Sequence, residues 1–251
     1  MRKQSLRLLG LFLAALSGCA SQPRTETLAS IIAQHTHARG GRAAIEAVHT
    51  IEIDLKIEEP TYTANSTYAA TRDNQMRIDV FMGGERAITE AFDGSRSWEL
   101  AKGAAAGTLG SEQGTRALHH GLEFPFKVYG LHELEKRGHT LALLGREQVD
   151  DINYYVLLLT LDDAFEVRYY VNPRTWLIDR ERQFRALHVD IDPTPQWIET
   201  TYSDYQPAAG VLYPRRQQER VVGSGELLSS STVKAIRVNP PMDVRRFEMP
   251  G

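Results

Sequence analysis

Six of the eight histidines, one serine flanked by glycines and several paired acids are the side chains of this chain whose types and spacing could do chemistry. His119-His120, with His132 and His139 nearby, would suit a metal ion. Adjacent side chains diverge on a helix or a strand, however, and no cysteine or His pair four residues apart accompanies them. They read as surface or lid histidines. His35 and His37 are two residues apart on a predicted helix and also diverge. Gly223-Ser224-Gly225 lacks the strand-turn-helix setting of a nucleophile elbow and reads as a hairpin loop. Asp162-Asp163 are turn acids, with no spacing that would pair them for acid-base work. No cofactor motif, metal set or catalytic group emerges, so the chemistry expected is binding, not turnover. The remaining candidates are aromatic: Phe92, Trp98, Phe124, Phe126 and Tyr129 are spaced so that they could line an apolar cavity.

The single cysteine, Cys19, rules out a disulfide within the chain. Its position gives it another use. Arg2, Lys3 and Arg7 form a basic start, residues 8–16 are apolar, and small residues lead to Cys19, the layout of an export signal. Nine apolar residues are too few for a lasting span, which takes about 20. Leu16-Ser17-Gly18-Cys19 resembles the lipobox of bacterial lipoproteins. That resemblance implies a diacylglycerol thioether on Cys19, cleavage after residue 18, and attachment to a membrane through the lipid. Ala20, where an aspartate would favour inner-membrane retention, points to the outer membrane with the domain facing the periplasm. Residues 19–27 are then an acylated tether and 28–251 the folded domain. The chain holds 29 Lys and Arg against 32 Asp and Glu, and no basic tract, so nucleic-acid binding is not expected.

The elements that must position these residues are mostly strands. Thr27 caps a helix whose Leu28, Ile31, Ile32 and His35 share a face; Gly40-Gly41 breaks it, and a short helical turn covers 42–48. From Ile51 the period becomes two: Ile51, Ile53, Leu55 and Ile57 alternate with Glu52, Asp54, Lys56 and Glu58. Further strands are predicted at 62–71, 75–81, 86–92, 95–101, 139–149, 152–161, 165–171, 176–185, 196–205, 211–221 and 226–238, with a hairpin at Asp93-Gly94. About a dozen strands at hairpin spacing predict one large antiparallel sheet, strongly curved or nearly closed. Residues 102–138 lose the alternation and read as one or two short helices with an apolar flank, docked on the sheet.

At this point the chain resembles the LolA/LolB lipoprotein-carrier family, in particular its outer-membrane lipoprotein-sorting branch. The residues that carry the resemblance are Ala38-Arg39-Gly40-Gly41, Arg72-Asp73-Asn74-Gln75-Met76-Arg77, Phe92-Asp93-Gly94-Ser95-Arg96-Ser97-Trp98, Tyr205 with Gly210-Val211-Leu212-Tyr213-Pro214, Asn239-Pro240-Pro241 and Phe247-Glu248-Met249-Pro250. Asp73 departs from the proline common there, and the acylated Cys19 is LolB-like. The resemblance implies a mainly β fold: an incomplete, half-open antiparallel barrel with a helical lid over a cavity for acyl chains of lipoproteins or lipids. The apolar face at Leu55 and Ile57 and the aromatic residues Phe92, Trp98, Phe124 and Phe126 are the binding residues expected in that cavity, and the resemblance implies Arg72 as a latch holding the lid. A periplasmic carrier or an inner-membrane protein would be the partner. An envelope stress sensor built on the same fold is the alternative implied.

Overall fold

A computed structural model describes residues 26–187, 189 and 191–251. The export segment, Cys19 and the tether up to residue 25 lie outside the described residues.

Among the described residues thirteen strands form: β1 (Thr50–Glu59), β2 (Tyr62–Thr71), β3 (Met76–Met82), β4 (Glu85–Phe92), β5 (Ser97–Ala101), β6 (Thr108–Leu109), β7 (Thr140–Val149), β8 (Ile152–Thr160), β9 (Glu166–Val171), β10 (Ile178–Arg185), β11 (Gln196–Ala208), β12 (Val211–Val221) and β13 (Leu227–Val238). They form one antiparallel sheet in the order β6-β5-β4-β3-β2-β1-β13-β12-β11-β10-β9-β8-β7. Every neighbour but one is a hairpin partner. The exception is β1 with β13, where Ile51 faces Val238 and Ile57 faces Ser231, joining the two halves. β6 and β7 do not pair with each other, so the sheet stays open, as the half-open expectation required.

Strand ends depart from the sequence reading where a turn claims the residue. Asp93 Oδ1 accepts from the N–H groups of Ser95 and Arg96, each at 2.8 Å, which holds both in the β4–β5 turn. Trp176 adopts a φ of 59° in the turn before β10 and is not part of that strand. β11 continues to Ala208, three residues beyond expectation, and the two-residue β6 carries too little pattern to be legible.

Helices α1 (Leu28–Ala38), α2 (Arg42–Glu46) and α3 (Glu112–Glu123), with a 3-10 helix at Leu131–Arg137, cover one face of the sheet. Thr27 and Ser30 exchange backbone-to-side-chain bonds in a capping box that starts α1. Its end is fixed by Gly40, at φ 123°, where a Cβ would stand 2.0 Å from Gly210 O in the β11–β12 turn. Only glycine allows that approach.

Two apolar clusters lie beneath the helices. One packs Ile45, Leu122, Val128 and Tyr129 on Ile51, Met76, Phe92 and Tyr213. The other packs Ile31, Leu131 and Leu134 on Leu157, Leu159, Val167 and Tyr169. The outer face is mostly ion pairs, such as Arg237 with Glu52 and Asp54 and Arg182 with Glu199.

Candidate binding cavity

Burial along β1 falls off steadily. Ile51 is fully buried and Ile53 nearly so, whereas Leu55 and Ile57 on the same face are only half-buried. The inner face is therefore packed near the start of β1 and hollow toward its end. An apolar compartment of about 230 Å³ lies there, lined by Ile53, Leu55, Ile57, Ile78, Val233 and Ile236. Beside it, between α3 and strands β10–β12, lies a larger compartment of about 490 Å³, whose lining includes Glu181, Gln183, Arg185, Thr200, Tyr202 and Glu219. Phe126, Lys127 and Gln217 border both.

The divider is held by the main chain. Buried Arg39 donates to Leu212 O at 3.0 Å and to Pro125 O, and the Tyr213 hydroxyl donates to Lys127 O at 3.3 Å. Phe126 then lies with its ring centroid 4.4 Å from Tyr202 and 6.1 Å, edge-on, from Tyr169. Lys127 donates to Gly121 O at 2.8 Å and its Nζ lies 4.3 Å over the Tyr68 ring. Withdrawal from bulk water pushes the Lys127 ammonium down to about 8, against an opposing pull from Glu181. Burial pushes the Glu181 carboxyl up to about 7, despite the Tyr202 hydroxyl and Arg185, which favour its charged form. Burial thus shifts both groups toward neutrality, leaving Lys127 mainly a cation at pH 7 and Glu181 titrating close to it.

The expected lining residues divide into three sets. Leu55, Ile57 and Phe126 border the apolar compartment, and Phe124 with Phe126 borders the polar one. Phe92 is a correction: it is 5% exposed in the core beneath α3, with the His119 ring 5.7 Å away, and reaches neither compartment. Trp98 is another. It pairs with Ala91 on the outer face, packs on Leu100 there and donates its indole N–H to Phe247 O at 2.7 Å. The pleat decides this, since Phe92 points inward and Ala91 must point out. Arg72 is not solvated. It donates to Val48 O at 2.5 Å, to Ile45 O at 2.8 Å and to Glu133 at 2.6 Å, binding α2 to the 3-10 helix. Its hold is on residues 45–48 and 133, not on α3.

Lys127, Glu181, Ser66 and Tyr68 were not singled out from the sequence. For Glu181 a signal existed but read backwards. In β10 the polar Glu181 and Gln183 point inward, while Phe184 faces out, 51% exposed against Trp197. The usual rule, apolar in and polar out, is inverted on the cavity floor.

Among the described residues one group has ligand atoms close enough for a metal: Glu46, His132 and Glu133. Glu133 is already engaged by Arg72 and by the Gly130 N–H, so the group reads as part of that network.

No protein-family model and no curated protein matches the chain. Solved structures do. A LolA superfamily protein from Nitrosomonas europaea aligns with a TM-score of 0.56 at 15% identity, over 89% of this chain and 98% of that one. The fold is LolA-like. A DUF1329 family protein from Desulfovibrio piger gives a TM-score of 0.57 at 10% identity, over 89% and 98% of the two chains. A domain described as an outer-membrane lipoprotein-sorting protein, from Vibrio parahaemolyticus, gives 0.55 at 8% identity, over 86% and 94%. At these identities the likeness is one of architecture: a LolA-like sheet with helices over one face, here enclosing a cavity with an apolar and a polar half.

Proposed function

We propose that this chain is an outer-membrane-anchored lipoprotein whose LolA-like domain, residues 28–251, holds acyl chains of lipoproteins or lipids and passes them on without catalysing a reaction. One observation carries it: the inner face of β1 stays apolar to Ile57 but is left hollow under a covered sheet. Half-buried aliphatic side chains gain about 25 cal/mol for each Å² that an acyl chain withdraws from water. Among the described residues no helix is long and apolar enough to cross a membrane; the anchor in this reading is the lipid on Cys19. Two or three acyl chains at about 0.8 kcal/mol per CH₂ suffice for that. Labelling with a palmitate analogue tests the anchor: label retained by Cys19→Ser overturns it.

The cavity reading is tested by titrating the purified whole chain with a fluorescent fatty acyl probe. Saturable binding, displaced by unlabelled single-chain lipid, is expected. Leu55→Gln places an amide on the apolar wall, weakening the probe and lowering stability by about 1–3 kcal/mol where the amide finds no partner. Urea unfolding checks that the variant is folded. A folded wild type that binds no probe ends the carrier reading.

A further inference from the structure

The two compartments differ in chemistry, and the residue between them is a cation without a counter-charge. Arg185 is taken by Glu219 at 2.5 Å and by Gln183 at 3.1 Å; His120 is held by Asp163 at 2.7 Å; Arg116 lies 3.9 Å from Glu112. Lys127 has no acidic partner in contact among the described residues, and its one hydrogen bond is to a carbonyl. An ammonium has three donors, so two remain for another acceptor. Glu181 acts on Lys127 electrostatically but forms no ion pair with it.

The surroundings hold further polar atoms that the fold leaves unmatched. Ser66 Oγ and the Tyr68 hydroxyl, in residues 3% and 5% exposed, have no hydrogen-bond partner among the described residues, and both residues line the apolar compartment beside Lys127. Glu181, 3% exposed in the polar compartment, has Oε1 bonded to Gln183; the Tyr202 hydroxyl acts on its carboxylate, but among the described residues no well-formed hydrogen bond closes on Oε2. Buried polar atoms of this kind each cost free energy when left alone, and a site built to hydrogen-bond a ligand has this form in its absence. Packing alone would have favoured apolar residues on an inner sheet face.

We propose that the cavity takes a single-chain amphiphile with an anionic head, its acyl chain along Leu55 and Ile57 and its phosphate or carboxylate oxygen on Lys127 at the boundary. The proposal rests on the acyl-binding reading above and adds the headgroup. The Ser66 and Tyr68 hydroxyls donate to the ester or head oxygens nearest the chain, and the polar compartment admits the rest of the head. Glu181 limits the charge the site accepts: ionised, it repels the head; protonated, it donates to it.

The purified whole chain is titrated with 1-oleoyl phosphatidate, oleate, monooleoylglycerol and inorganic phosphate, each displacing the fluorescent acyl probe. The anionic amphiphiles are expected to bind about tenfold more tightly than monooleoylglycerol, the usual effect of one charge-assisted bond. Lys127→Met reduces them to the level of monooleoylglycerol, whereas Lys127→Arg retains the preference. Glu181→Gln increases anionic affinity, a gain that a folding defect cannot imitate. Equal binding of charged and uncharged probes, or a preference that survives Lys127→Met, overturns the headgroup site while leaving the carrier reading intact. Displacement by inorganic phosphate alone, as strong as by the amphiphiles, makes the site one for a free anion and overturns it too. Failure of every acyl probe, monooleoylglycerol included, removes the carrier reading itself.

Discussion

Arg72→Leu is expected to lower the unfolding free energy by about 3–5 kcal/mol, the cost of leaving one member of a buried ion pair without its partner. Arg72 and Glu133 are 20% and 14% exposed at their side chains, little enough that solvent does not screen the contact away. Burial pushes the Glu133 carboxyl up, but Arg72 and the Gly130 N–H outweigh it, and the net shift is down. The same guanidinium donates to Ile45 O, which also accepts from the Val48 N–H, and to Val48 O just beyond the end of α2. The Tyr129 hydroxyl closes the knot by donating to Arg72 O at 2.5 Å, with its ring 5.1 Å from the guanidinium carbon. A planar fork with five donors on three nitrogens reaches acceptors in several directions at once, whereas a lysine's three donors all radiate from one nitrogen. Arg72→Lys should therefore recover only part of the loss. Urea unfolding measures the total, and hydrogen exchange locates it: protection should fall at 42–48 and 131–137 while β1–β4 keep theirs. A leucine variant within about 0.5 kcal/mol of wild type, the range of an ordinary surface change, would show that the network carries no load.

That residue also shows what the sequence could convey. Its position before β3 and its expected role as a latch came from a resemblance in motif order, but its acceptors lie 24 to 61 residues away and only the fold supplies them. The strands were legible because one face is buried and the other wet, so each writes a period of two. Hairpin spacing then fixed all but one pairing. The closing pair, β1 with β13, joins residues 187 apart at Ile51 and Val238, and no local pattern encodes it. The cavity residues were half legible. Leu55 and Ile57 follow the alternation; Lys127 sits in an irregular connection with no period, and Glu181 occupies an inward position where an apolar residue is the usual choice. Trp98 failed for a related reason. Its type suggested a cavity, but its facing partner Ala91 fixes the side of the pleat, and that requires the register.

Glu123→Gln is expected to cost about 3 kcal/mol or more near pH 6, and to remove a pH dependence that the wild type shows. Glu123 ends α3, where the helix dipole disfavours a negative charge, and it is 2% exposed. It persists there because three basic groups converge on it: Arg137 at 2.6 Å, His139 Nε2 at 2.9 Å and His119 Nε2 at 3.3 Å. These are two of the histidines read from sequence as surface or lid residues. One is on the lid and one is buried at the edge of β7, and together they pin α3 to the sheet and to the 3-10 helix. Burial pushes the Glu123 carboxyl up, yet hydrogen bonds from His119, Arg137 and His139 hold it well below the usual carboxylate range. A carboxyl depressed in the fold stabilises above its unfolded value of about 4.5, and that stability drains away as the pH falls through the lower folded value. The same hydrogen bond raises His119 above its ordinary 6.5, against an opposing effect of burial. A raised histidine stabilises fully below 6.5 and loses its contribution as the pH rises through the folded value. The cluster therefore holds α3 most firmly between about pH 4.5 and 6.5 and weakens on both sides. Urea midpoints of the wild type and of Glu123→Gln, measured from pH 3 to 9, give the contribution as their difference, in which the other titrating groups, Lys127 and Glu181 included, largely cancel. A difference that peaks in the window and narrows at both ends is the expected result; parallel profiles would mean that the histidines and Glu123 do not act together.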